Sequence, residues 1–233
     1  RSLQLPEAQT EFEFLQDFKH IAQQNIVAKS HIGLGYYNTI VPSVILRNIL
    51  ENPSWYTAYT PYQPEISQGR LEAIFSFQTA VTDLTGLAIA NASMLDEATS
   101  AAEAMTLARR VWQGSDDAVF LIDKNLHPHV KAVVHTRAKP LKISVVESDF
   151  EVTDFSSEVF AALIAYPEST GRVKDPTRTI ELVKEKGGLA IIACDLLALT
   201  LFKSPGELGA DIAVGSAQRF GVPVGFGGPH AGF

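Results

Sequence analysis

Between residues 118 and 215, short apolar runs take turns with segments of helical period, and no other feature constrains the fold as strongly. The runs at 118–122, 142–146, 159–165, 189–193 and 211–215 read as strands. The stretches at 129–137 and 177–186 read as the helices between them. Strands separated by helices call for right-handed crossovers, so the expectation is an α/β fold: a mostly parallel sheet with helices on both faces. Such sheets are buried on both sides, which is why their strands read as continuous apolar runs. Ligands of these sheets sit beyond the carboxyl ends of the strands. Two of those ends carry chemistry here: Ala193-Cys194-Asp195, and the run Gly215-Ser216-Ala217-Gln218-Arg219-Phe220 after the last strand.

The chain ahead of this region is different. Phe12, Leu15, Phe18 and Ile21 recur at helical spacing and predict an amphipathic helix whose apolar stripe needs a cover. Gly33-Leu34-Gly35 breaks any helix, and Tyr36-Tyr37 makes the loop aromatic. Pro42 opens a short helix that Asn52-Pro53 ends. Residues 55–64 hold Trp55, Tyr56, Tyr59, Tyr62 and two prolines, an extended segment that presents hydroxyl and amide groups. A helix over 65–83, stopped by Gly86, and an alanine-rich helix from Asp96 follow. Asp96 and Glu97 complement the positive end of that second helix and, for the same reason, repel a phosphate there. The organisation expected is an N-terminal helical and aromatic arm over 1–60 and a large α/β domain over 61–233.

Composition narrows the function classes. With 46% hydrophobic residues in 233, a sizeable core is available, and a net charge of −7 without a basic stripe argues against nucleic acid. The single cysteine, Cys194, reads as a small core hydrophobe in a reducing compartment. No apolar run is long enough to span a bilayer, so a cytoplasmic location and no membrane partner are expected. The six histidines form no zinc-binding spacing, and no serine sits in a nucleophile elbow. Gly225-Phe226-Gly227-Gly228 lacks the context of a nucleotide loop. The chain starts without Met and stops just after this glycine-rich turn, which suggests a piece of a longer polypeptide.

The two strand ends resemble those of aspartate aminotransferase-like (fold type I) pyridoxal-phosphate enzymes. There an aspartate meets the pyridine nitrogen, and a lysine after the next strand forms the Schiff base. Asp195 matches the aspartate, but Gln218 stands at the lysine position, and an amide nitrogen cannot form that bond. Four longer stretches resemble the amino-terminal half of the glycine decarboxylase P-protein of the glycine cleavage system. They are His31-Ile32-Gly33-Leu34-Gly35-Tyr36-Tyr37; the run from Leu50 to Glu65 with Trp55-Tyr56-Thr57-Ala58-Tyr59-Thr60-Pro61-Tyr62-Gln63-Pro64; Asn91-Ala92-Ser93-Met94-Leu95-Asp96-Glu97; and Gly215-Ser216-Ala217-Gln218-Arg219-Phe220-Gly221-Val222-Pro223.

The resemblance implies a half that is catalytically incomplete. Pyridoxal phosphate would be bound by the catalytic carboxyl-terminal half or second subunit, and a small carboxyl-terminal domain would follow Phe233. His127, Asp195 and Gln218 become vestigial cofactor positions. Tyr59, Thr60, Tyr62, Gln63 and Glu97 become a wall of the partner's active site, where glycine is decarboxylated and its aminomethyl group passes to the lipoyl H-protein. Ala98 stands where most relatives are expected to carry glycine. Two other readings remain at this point: a scaffold that only mediates docking, and an independent pyridoxal-phosphate enzyme using Lys203, which fits Thr-x-x-Lys with Thr200.

Overall fold

The structure is a computed structural model that describes residues 3–55, 70–150, 157–225 and 230–233. The chain divides into two compact units, Arg1–Ile32 and Gly33–Phe233. The boundary expected at 60–61 lies outside the described residues.

The first unit contains helix α1, Glu11–Gln23, which begins at a capping box. The Thr10 hydroxyl accepts from the Glu13 amide, and the Glu13 carboxylate accepts from the Thr10 amide at 2.9 Å. This satisfies two amides that the helix itself cannot pair. The sequence placed the apolar stripe correctly, but none of its residues is buried within the unit.

In the second unit come α2 (Ser43–Leu50), α3 (Arg70–Thr85), α4 (Glu97–Val111), β1 (Val119–Asp123), α5 (Pro128–Ala138), β2 (Val145–Ser148), β3 (Val159–Tyr166), α6 (Thr177–Glu185), β4 (Leu189–Asp195) and β5 (Ile212–Ser216). The five strands form one parallel sheet in the order β2-β1-β3-β4-β5. Each predicted strand is present, most within a residue or two of its expected limits. The exception is β2, which starts three residues later than Lys142. A 3-10 turn through Pro140 ends with Lys142 in a left-handed conformation (φ +55°), and a residue held there cannot continue a strand.

The crossover from β1 to β2 runs to one side of β1, and the path to β3 returns to the other, so the direction of winding reverses between β1 and β3. This reversal puts the crossover helices on opposite faces. Phe120, Ile122, Ile191 and Ala193 pack with α4 and α5, while Ile164, Ala190, Ile192 and Cys194 face the side that holds Val81 of α3 and Ile180 of α6. Burial on both faces is what the continuous apolar runs require.

Helix α4 approaches the sheet through small side chains: Ala98, Ala101, Ala102, Ala104 and Ala108 are all buried, with Met105 filling the space between them. The methyl group of Ala98 is accommodated in this packing at 3% exposure. Close approach also governs two glycines. A Cβ on Gly215 would stand 2.3 Å from the Cys194 carbonyl oxygen, and one on Gly232 would stand 2.6 Å from that of Asp96. Gly232 bridges Met94 and Ser216, and so ties the entry of α4 to the end of β5.

Gly215→Ala should therefore destabilise the fold by about 1–3 kcal/mol, the usual cost of forcing atoms into a filled interior. Urea unfolding of the variant measures it, and an unchanged midpoint would contradict the packing described.

Candidate functional site

A pocket opens where the winding reverses, at the carboxyl ends of the strands, the place such sheets reserve for ligands. It is lined by Leu126 and His127 after β1, Ala165 and Pro167 at the end of β3, Ala193, Cys194 and Asp195 of β4, and Ser216, Gln218 and Arg219 at and after β5. Glu97 of α4 and Gly35 and Tyr37 of the loop at 33–38 complete it.

Parallel pairing sets Asp195 beside Ser216 at the two strand ends. The Ser216 hydroxyl accepts from the Gln218 amide at 3.2 Å and starts a 3-10 turn over Ala217–Phe220. That turn aims Arg219 back at Asp195. The guanidinium grips the carboxylate with two bonds, Nε to Oδ1 at 3.0 Å and Nη2 to Oδ2 at 2.8 Å. The same guanidinium lies over the Tyr37 ring, 3.8 Å from its centroid. Both side chains of the pair are 18% exposed, so screening by water is limited. Burial, and next the Asp195 charge, push the Tyr37 phenol above its ordinary range, while Arg219 opposes them.

Gln218 is 1% exposed and fully engaged. Its Nε2 donates to the Tyr37 carbonyl at 2.5 Å, and its Oε1 accepts from the Tyr37 amide at 3.3 Å. A side-chain amide thus pairs with a backbone segment 181 positions away as a strand would. The loop it holds depends on left-handed backbone at Gly33, Leu34 and Gly35. At Gly35 (φ +89°) a Cβ would also come within 3.1 Å of the His127 ring.

His127 occupies the position just before α5, yet its side chain caps nothing. Its ring stacks on His129, with centroids 5.6 Å apart and planes 9° from parallel. His129 in turn touches Tyr36 and brings Nε2 to 3.7 Å from Glu97 Oε2. The His127 Nδ1 is buried without a hydrogen-bond partner among the described residues. Burial, the largest effect, holds the His127 imidazole below its ordinary range; His129 adds to this, and Glu97 opposes it.

The sequence-predicted positions now separate into three groups. His127, Asp195 and Gln218 do converge, and Glu97 joins them in the chain's own pocket. Tyr59, Thr60, Tyr62 and Gln63 lie outside the described residues. Lys203 is exposed, away from the pocket lining and near Asp175 and Glu207, as a solvated surface lysine would be. Cys194 is fully buried, and burial pushes its thiol up, as expected of a core residue. Arg219 and Tyr37 were not singled out from the sequence. The available signal was a cation directly after Gln218 at the strand end next to Asp195.

Pyridoxal phosphate does not fit the described residues that line this pocket. Gln218 cannot form a Schiff base, and the Asp195 carboxylate already holds Arg219. At the start of α4, Asp96 accepts from the Thr99 amide at 2.7 Å, so a carboxylate stands where a phosphate would need donors. The space left in the pocket is about 30 Å³, the scale of water molecules rather than the several hundred Å³ of a small-molecule site.

Comparison with known proteins places this geometry in context. The family model for the glycine cleavage system P-protein matches residues 1–233. Glycine dehydrogenase (decarboxylating) from Nostoc sp. is 57% identical over 231 residues, 99% of this chain and 23% of that protein. The same enzyme from Gluconobacter oxydans is 59% identical over 226 residues, 97% of this chain and 24% of that protein. The chain thus spans about a quarter of the length of the curated relatives it matches. Among solved structures, the glycine decarboxylase (P-protein) of the glycine cleavage system, in inhibitor-bound form, superimposes with a TM-score of 0.87 at 36% identity, covering 100% of this chain and 54% of that one. A cystathionine gamma synthase from Xanthomonas oryzae pv. oryzae matches at a TM-score of 0.52 and 19% identity, over 64% of this chain and 38% of its own, a likeness of fold alone. The mostly parallel five-stranded sheet with its helices is thus shared with that P-protein and, as a fold alone, with the cystathionine gamma synthase.

The histidine environment makes a pH prediction. An imidazole held below its unfolded-state pKa of about 6.5 takes up protons more readily in the unfolded chain. Its contribution is complete above that value and is lost as pH falls toward the folded pKa. His127→Gln should flatten the decline in melting temperature between about pH 7 and about pH 5. Parallel curves for variant and parent would refute the assignment.

Proposed function

The chain belongs to the glycine cleavage system P-protein family, and from that premise we propose that it is part of the non-catalytic, amino-terminal half of a glycine decarboxylase. In this reading it is inactive alone and completes, in an oligomeric cytoplasmic enzyme, an active site whose pyridoxal phosphate is held by the catalytic half. The reaction is the decarboxylation of glycine with transfer of its aminomethyl group to the lipoyl arm of the H-protein, the oxidoreductase step of glycine cleavage. One observation carries the proposal: the Asp195 carboxylate, expected to meet a cofactor ring, is engaged by Arg219, and Gln218, expected at the Schiff-base position, is clasped to the Tyr37 backbone. A site closed in this way leaves the chemistry to a companion site.

The contribution of this half is then a wall for that site, supplied by Tyr59, Thr60, Tyr62 and Gln63, while Glu97 lines this chain's own pocket beside His129. Neutral hydroxyl donors suit a glycine carboxylate that must leave as CO2. A strong ion pair would stabilise the ground state more than the transition state and raise the barrier. The domain plan that accompanies this reading is an arm over 1–60 and a large domain over 61–233, followed by a small domain.

Tyr62→Phe in the intact protein should lower kcat/KM for glycine decarboxylation about 5- to 10-fold, the worth of one hydrogen bond. Normal assembly with unchanged turnover would favour a scaffold instead. Independently, borohydride reduction of the holoenzyme followed by peptide mapping should find the modified lysine outside residues 1–233. An adduct on any lysine of this chain, Lys203 included, would overturn the proposal.

A further inference from the structure

Tyr37, Asp195 and Arg219 have the form of a recognition site with its ligand in place. A planar delocalised cation is bound best when a carboxylate meets its edge in a bidentate fork and an aromatic ring covers its face. Asp195 provides the fork at 2.8 and 3.0 Å, and Tyr37 provides the face at 3.8 Å. Each half of the site is held independently of the cation. Asp195 ends the buried strand β4, and its Oδ1 also accepts from the Leu197 amide at 3.1 Å. The Tyr37 backbone is clasped on both sides by Gln218. The guanidinium is the one component of this arrangement that sits at the tip of a flexible side chain.

We propose that Asp195 and Tyr37 form a planar-cation site whose resident ligand is the chain's own Arg219, and that the site accepts an exogenous guanidinium when Arg219 is shortened. Self-occupation keeps this pocket shut to a protonated pyridine ring whatever residue stands at 218.

The test is thermal and uses the intact protein. Arg219→Ala should lower the melting temperature, and methylguanidinium at up to about 20 mM should restore roughly 3–6 °C of the loss, as a ligand selective for the folded state does. Tetramethylammonium at equal ionic strength, which has the charge but neither the plane nor the donors, should restore nothing. The double variant with Asp195→Asn should not respond to methylguanidinium, nor should the parent protein, whose site is filled. A folded Arg219→Ala protein indifferent to methylguanidinium, or equal recovery in the double variant, would overturn the proposal. If Arg219→Ala yields no folded protein, Arg219→Gln supplies the same reading: recovery with methylguanidinium supports the site, and its absence overturns it.

Discussion

The carboxylate of Asp195 sits at the end of a buried strand, and a charge so placed is costly unless it is paired and hydrogen-bonded. The partner chosen here is Arg219, reached through the tight turn after β5, with Leu197 supplying a further amide. Much of the pocket follows from this choice. The guanidinium needs a second surface, which the Tyr37 ring provides. Tyr37 needs its loop held down, which Gln218 accomplishes through two hydrogen bonds. A strand-end acid that would otherwise face a ligand is instead the base of an internal network.

The frame that makes this possible is the parallel sheet with reversed winding. It gathers the ends of β1, β3, β4 and β5 at one edge, so residues from 126 to 219 meet there. Small side chains set the tolerances. The alanines of α4 bring its first turn, with Glu97, against the pocket, and Gly215 and Gly232 allow the backbone of the last segment to lie against β4 and the entry of α4. The histidine pair after β1 then packs face to face, with Glu97 beside it. Parallel sheets hold their ligands at this edge, and here much of it is filled by protein atoms.

Much of this was legible in the chain itself because the causes are local. Apolar runs without alternation mark strands covered on both faces, helical spacing marks the covers, and Asp96 marks a helix start by the amide it can accept from. The largest shift of a strand start came where a local conformation intervened, at left-handed Lys142 ahead of β2. The convergence of His127, Asp195 and Gln218 was also readable, since each follows a strand end and parallel strands share one edge. The environment of Glu97 was not. Its place in the chain's own pocket depends on how deeply α4 seats on the sheet, which the buried alanine face decides.

By itself, then, the sequence determined the α/β architecture, the edge on which a site would form, and the absence of an amine at position 218. Tertiary structure alone decided what fills that edge. Asp195 and Arg219 are 24 positions apart and Tyr37 is 181 from Gln218, and no periodic pattern encodes contacts at such separations. They exist because sheet register and a left-handed glycine turn bring a carboxylate, a guanidinium and an aromatic ring within bonding distance of one another.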